Sequence, residues 1–165
     1  MLPPKLIMVP IDFSEHSHGA LDVASEMASR LGAELLLVYV VPAIPDLPDS
    51  VSMFKEGEYD KSVDDAGAKQ LAALAATLAP KKIKVRTEVG IANDVGMELV
   101  RIADQDHVDL VIIATHGMTG WREIRFGSVA KKVVEEADCP VLVLRAKAAN
   151  DAQGKDKAAS SAASR

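Results

Sequence analysis

The sequence predicts a parallel α/β sheet whose strands are joined by right-handed helical crossovers. Two observations carry this. Five short apolar runs, rich in β-branched residues, alternate with four segments of helical period. Most of the runs are apolar at every position, as in strands covered by helices on both faces. Val111-Ile112-Ile113 and Val141-Leu142-Val143-Leu144 show this most clearly.

The first predicted strand is Leu6 to Ile11. A helix follows, capped by Ser14 and stopped at Gly32, with Ala20, Val23, Ala24, Met27, Ala28 and Leu31 on one face. The second strand is Glu34 to Val41. Pro42 to Asp60 holds three prolines and several acids without a sustained period, and reads as a long surface connection. The second helix spans about Lys61 to Ala79, with Leu71, Leu74, Ala75 and Leu78 inward and Pro80 ending it. The third strand is Lys82 to Val89. Its helix runs from about Asn93 to Gln105 and buries Val95, Leu99 and Ile102. The fourth strand is Val108 to Ala114. The fourth helix opens at Gly127-Ser128 and buries Val129, Val133, Val134 and Ala137. Pro140 to Arg145 is the last strand. Beyond Ala148 no apolar residue is larger than alanine, so a domain over residues 1–146 and a disordered tail over 147–165 are expected.

Composition narrows the function. The 165 residues carry 24 acidic and 19 basic side chains, a net charge of -5, which argues against a protein that coats nucleic acid. A single cysteine cannot form an internal disulfide. The longest apolar run, Leu35 to Val41, is far short of the ~20 residues of a membrane helix. The start of the chain lacks the order of a signal peptide. A cytoplasmic location is expected from these features. With 4% aromatic residues, the core must be aliphatic.

Ligands of open parallel sheets bind beyond the carboxyl ends of the strands. The most informative end is the fourth, Ala114-Thr115-His116-Gly117, followed by Met118 to Phe126 and then Gly127-Ser128. Glycines let backbone amides approach an oxyanion, and a helix start offers unpaired N–H groups. Ser128 can donate its hydroxyl or cap the helix. The competing reading is that Gly117 and Gly120 serve only tight turns and Ser128 only caps.

Ala114-Thr115-His116-Gly117, nine residues, then Gly127-Ser128 resembles the Gly-x-x-Gly-x9-Gly-Ser/Thr signature of the universal stress protein family. Val9-Pro10-Ile11-Asp12-Phe13-Ser14 and Asp138-Cys139-Pro140-Val141-Leu142-Val143 resemble its opening and closing motifs, and the likeness covers roughly residues 4 to 146. The resemblance implies an open sheet of order 3-2-1-4-5 with helices on both faces, the adenine nucleotide α-hydrolase-like arrangement. It also implies a homodimer, and in ATP-binding members a nucleotide between strands one and four. By position, Asp12 would bond the adenine and ribose side, with Pro10 and Ile11 as its wall. Val40 would read the adenine edge through its backbone. Gly117 would lie near the ribose and α-phosphate, with Met118 and Gly120 on the same loop. Gly127, Ser128 and Val129 would bind the phosphates of ATP, or of AMP or ADP, with Mg²⁺ or Mn²⁺ as the accompanying ion left open. The first glycine of the signature is Ala114 here, which a strand end tolerates if its φ is negative. Family members that do not bind ATP tend to lose the later glycines, which this chain keeps.

The other candidates have plain readings. Asp12 can simply support the Ser14 cap. His16 and His18, about 200° apart on a helix, read as solvated rather than metal-binding. His116, Trp121, Arg122 and Arg125 share the glycine loop, with loop or phosphate roles both open. Cys139 reads as an inert buried thiol. The last strand would be an apolar edge, and pairing across a two-fold would cover it. The expected function is therefore a regulatory, ATP-binding stress protein, with catalysis limited at most to slow hydrolysis. Its rivals are a nucleotide-free dimeric scaffold of the same fold and a receiver-type phosphoacceptor. The last needs an acidic cluster after the first strand and an aspartate after the third. Asp12 stands alone, and Gly90-Ile91-Ala92 is expected to follow the third strand.

Overall fold

A computed structural model of the chain describes residues 3–43, 58–115 and 127–145, with side chains of the second helix from residue 65. Five strands form one sheet: β1 (Leu6–Pro10), β2 (Glu34–Pro42), β3 (Val85–Ala92), β4 (Leu110–Ala114) and β5 (Val141–Leu144). Their order is β3-β2-β1-β4-β5, and every pairing is parallel. The central strand is β1, where Ile7 pairs with both Leu35 and Leu110. The side chain of Asp109 stitches its start to that of β4, accepting from the amides of Lys5 (2.8 Å) and Leu6 (2.9 Å).

Among the described residues four α-helices cover the sheet: α1 (Glu15–Leu31), α2 (Glu58–Ala76), α3 (Val95–Gln105) and α4 (Ser128–Glu136). The two-residue period of a strand sends alternate side chains to opposite faces. Ile7, Val9, Leu35, Leu37 and Ile112 therefore pack under α1 and α2, together with Leu21, Leu71 and Leu78. Met8, Leu36, Val38, Val111 and Ile113 pack under α3 and α4, with Leu99, Ile102 and Val133. Leu35, Leu36 and Leu37 are all buried, which explains why β2 reads as an unbroken apolar run. Truncating any of them to alanine is a cavity-forming change of about 2–5 kcal/mol.

Several boundaries differ from expectation. β3 begins at Val85 and ends at Ala92, three residues later than the pattern suggested at each end. Lys82 ends a 3₁₀ turn (Ala79–Lys81) in the left-handed region, at φ 55°, and so cannot start a strand. At the other end, Val40 pairs with Gly90 and Pro42 with Ala92, which carries the ladder through the residues expected to lie beyond it. α2 stops at Ala76, before Pro80, because the Thr77 and Leu78 amides turn to carbonyls three residues back. Val23, Leu31 and Val134, all expected inside, are exposed. The segment 44–57, the glycine loop 116–126 and the tail from 146 lie outside the described residues.

Candidate functional site

The first junction is built around a backbone reversal. β1 ends at Pro10, and the Ile11 amide still bonds the Val38 carbonyl at 2.7 Å. Phe13 then adopts φ 60°, a left-handed conformation that costs a non-glycine residue about 1–2 kcal/mol. The reversal brings the next residue back onto Asp12. One carboxylate oxygen of Asp12 accepts both the Ser14 amide (3.0 Å) and the Ser14 hydroxyl (2.5 Å). The Ser14 oxygen in turn accepts the Ser17 amide at 3.2 Å and so caps α1. Asp12 thus has the supporting role that its position allowed, while also lining the cavity described below. The Phe13 ring meets Tyr39 edge-on, centroids 4.9 Å apart. The Tyr39 ring presses on α2 at Gly67, where a Cβ would lie 2.9 Å from Tyr39 Cδ1.

The fourth junction closes on itself. Thr115 follows β4 and is buried, its amide bonded to the Leu144 carbonyl at 2.9 Å. Its own carbonyl accepts the Gly127 amide at 2.7 Å. The chain therefore leaves the sheet and returns at one hydrogen bond. Gly127 is the N-cap of α4, with φ -65° and no side-chain capping bond. Its need for glycine comes from close approach, since a Cβ would sit 2.8 Å from the Thr115 oxygen. Ser128 is consequently the first helical residue and not the cap. The first-turn amides of Ser128, Val129 and Ala130 have no intrahelical acceptor. In α1 and α3 the capping side chains of Ser14 and Asp94 take up such an amide. Ala114 ends β4 outside the left-handed region, as a non-glycine residue requires.

Between the two junctions lies a cavity of about 380 Å³, within the ~300–1,000 Å³ of small-molecule sites. It gathers seven of the ten candidate residues: Pro10, Ile11, Asp12, Val40, Gly127, Ser128 and Val129. Gly117, Met118 and Gly120 lie outside the described residues, as do His116, Trp121, Arg122 and Arg125. Val38, Val95, Leu99, Ile113 and Ala130 add an apolar wall that the motifs did not single out. Its signal was present in the inward face of α3, where Val95 and Leu99 fall four residues apart. Ser17 and Thr115 also line the cavity.

The remaining candidates lie apart from it. His16 is half-buried and His18 exposed, and no cluster of three or more metal-binding side chains occurs among the described residues. Cys139 is half-buried at the start of β5, and burial pushes its thiol up from the ordinary range. Asn93 and Asp94, and not Gly90 to Ala92, follow β3. Asp94 accepts the Met97 amide at 3.0 Å as the cap of α3.

The chain is thus an α/β protein with an open parallel sheet, an apolar cavity at its switch point and a helix start on one side of that cavity. More narrowly, the chain belongs to the universal stress protein family, whose model matches residues 4–145. Universal stress protein MJ0531 of Methanocaldococcus jannaschii is 31% identical over 144 residues, covering 86% of this chain and 82% of that one. Protein MJ0577 of the same organism is 28% identical, and its solved structure aligns with a TM-score of 0.75 over 88% of this chain and 98% of its own. The universal stress protein of Archaeoglobus fulgidus in complex with dAMP shares the fold at 20% identity and a TM-score of 0.59, over 87% of this chain and 98% of that one. Another universal stress protein, in complex with cAMP, does so at 18% and 0.60, over 86% and 96%.

Proposed function

We propose that the chain is a nucleotide-binding regulatory protein that holds ATP, or a shorter adenine nucleotide, in the switch-point cavity. One observation carries this reading: Asp12 and the start of α4 face the same 380 Å³ space from opposite junctions, with an apolar wall beside them. A nucleotide needs those three chemistries in one place: a hydroxyl acceptor, an apolar slot for the base and N–H donors for phosphate. In this arrangement Asp12 accepts from the ribose or base. Pro10, Ile11 and Val40 flank the base, while Gly117, Met118 and Gly120, which lie outside the described residues, are assigned by the family resemblance alone. Ser128 and Val129 offer amides, and Ser128 its hydroxyl, to the phosphates. Gly127 acts differently from the simplest expectation, because its amide is spent on Thr115. Its part is to let the helix start approach. A divalent cation would enter with the phosphates. The dAMP and cAMP complexes of proteins of the same fold support the nucleotide class.

The apolar edge strand β5 supports pairing with a second copy across a two-fold axis. In this reading the protein works in the cytoplasm, through conformation or partner choice set by the bound nucleotide. Titration calorimetry of the purified chain with ATP and AMP tests the reading. Binding is expected in the wild type and lost in Ser128→Asp, which places a negative charge at the helix start. Equal binding by both proteins removes the phosphate assignment. Absence of binding, with no adenine nucleotide in the supernatant of heat-denatured protein, favours a nucleotide-free scaffold.

A further inference from the structure

The cavity is bounded on one side by α3, through Val95 and Leu99, and on another by α4, through Val129 and Ala130. Its width there is the separation of two helices. One contact there leaves no room for a side chain. A Cβ on Gly96 would lie 2.7 Å from both Cβ and Cγ of Lys132. Carbon pairs sit at about 3.5–4.0 Å, so any side chain at position 96 drives the helices apart by roughly 1 Å. The clashing atoms are at the root of the lysine, where a rotamer change cannot move the Cβ. Gly96 is not at a special φ, and it sits inside a helix, where glycine is disfavoured by ~1 kcal/mol against alanine. Close approach is therefore the reason for glycine there. Gly96 is buried, next in sequence to the lining residue Val95, and Lys132 is one turn beyond the lining residue Val129.

α4 is held at two points. Its start is held to Thr115 by the Gly127 bond, and Val133 is fully buried against the sheet. A displacement at Lys132 thus acts on the first turn, which carries Ser128 and Val129.

We infer that Gly96 is a positioning residue for the ligand cavity: its contact with Lys132 sets the gap between α3 and α4 into which the nucleotide fits. This rests on the nucleotide-site reading above. The test is a set of variants titrated with ATP by calorimetry and melted in parallel. Gly96→Ala should bind ATP about tenfold more weakly, a change of about 1.4 kcal/mol in binding free energy. Lys132→Gly removes both atoms that a Cβ at position 96 would meet, and its ATP affinity is the reference for the double variant. In the double variant Gly96→Ala/Lys132→Gly, affinity should lie within about threefold of Lys132→Gly alone, so that the loss caused by the alanine disappears. Its melting temperature should not recover in full, because a glycine in the interior of α4 weakens that helix. Gly96→Ala/Lys132→Ala keeps one clashing atom and should recover only part of the affinity. Recovery of binding without full recovery of stability is what a purely structural role would not produce. Wild-type affinity in Gly96→Ala, or no rescue in the double variant, overturns the inference and leaves the site reading standing. A wild-type chain that binds no adenine nucleotide overturns both.

Discussion

The Gly127 amide bonds the Thr115 carbonyl at 2.7 Å, while a Cβ on Gly127 would come within 2.8 Å of the same oxygen. One carbonyl therefore anchors the start of α4 and forbids a side chain there. Gly127→Ala should move the helix start outward. We expect a loss of about 1–3 kcal/mol in stability and about tenfold in ATP affinity. Thermal unfolding and calorimetry of the variant check this. Unchanged affinity would mean that the position of the helix start does not matter to the ligand.

The left-handed backbone at Phe13 makes a second prediction, in which hydrophobicity gives the wrong order. Valine is apolar but β-branched, and it is strained at φ 60°. Asparagine is polar but tolerates that region. Both lose the ring contact with Tyr39, worth about 0.5–1.5 kcal/mol. Phe13→Val should be less stable than Phe13→Asn by about 1 kcal/mol in urea unfolding. The opposite order would show that ring burial outweighs backbone conformation at this position.

The amides of Leu6 and Lys5 hold the Asp109 carboxyl below its ordinary value of 3.8. A depressed folded value means that the unfolded state binds its proton first as pH falls. The stabilisation is thus fully present above pH 3.8 and lost as the pH drops toward the lower folded value. Asp109→Ala should cost about 2 kcal/mol at pH 7, the scale of hydrogen bonds to a charged group. The gap between the two proteins should narrow below pH 4. A gap that stays constant down to pH 2 would remove the carboxylate from this role.

Much of the fold was legible because burial on both faces leaves a mark on sequence. Leu35 to Val38 could be read as a covered strand without knowing what covered them. β3 was read less well. It is an edge strand, and Arg86, Thr87 and Glu88 interrupt its apolar pattern. Its start is set by the left-handed Lys82, which no periodicity signals. Its end reaches Ala92 because Gly90 pairs with Val40 while leaving room for Glu98 from α3. The motifs marked the polar ends of the site. They missed Val95 and Leu99, which look like any inward-facing helical pair until the fold sets them beside Val129.

The two outer strands have opposite chemistry. Arg86 in β3 forms ion pairs with Glu34 at 2.8 Å and Asp106 at 3.1 Å, and two of its neighbours are polar. β5 offers only valine and leucine. Sheet-to-sheet growth into a fibre requires two receptive edges on each molecule, as a polymer requires a bifunctional monomer. If a second copy pairs along β5, the edges left outward are the two charged β3 strands, and the pairing would end there.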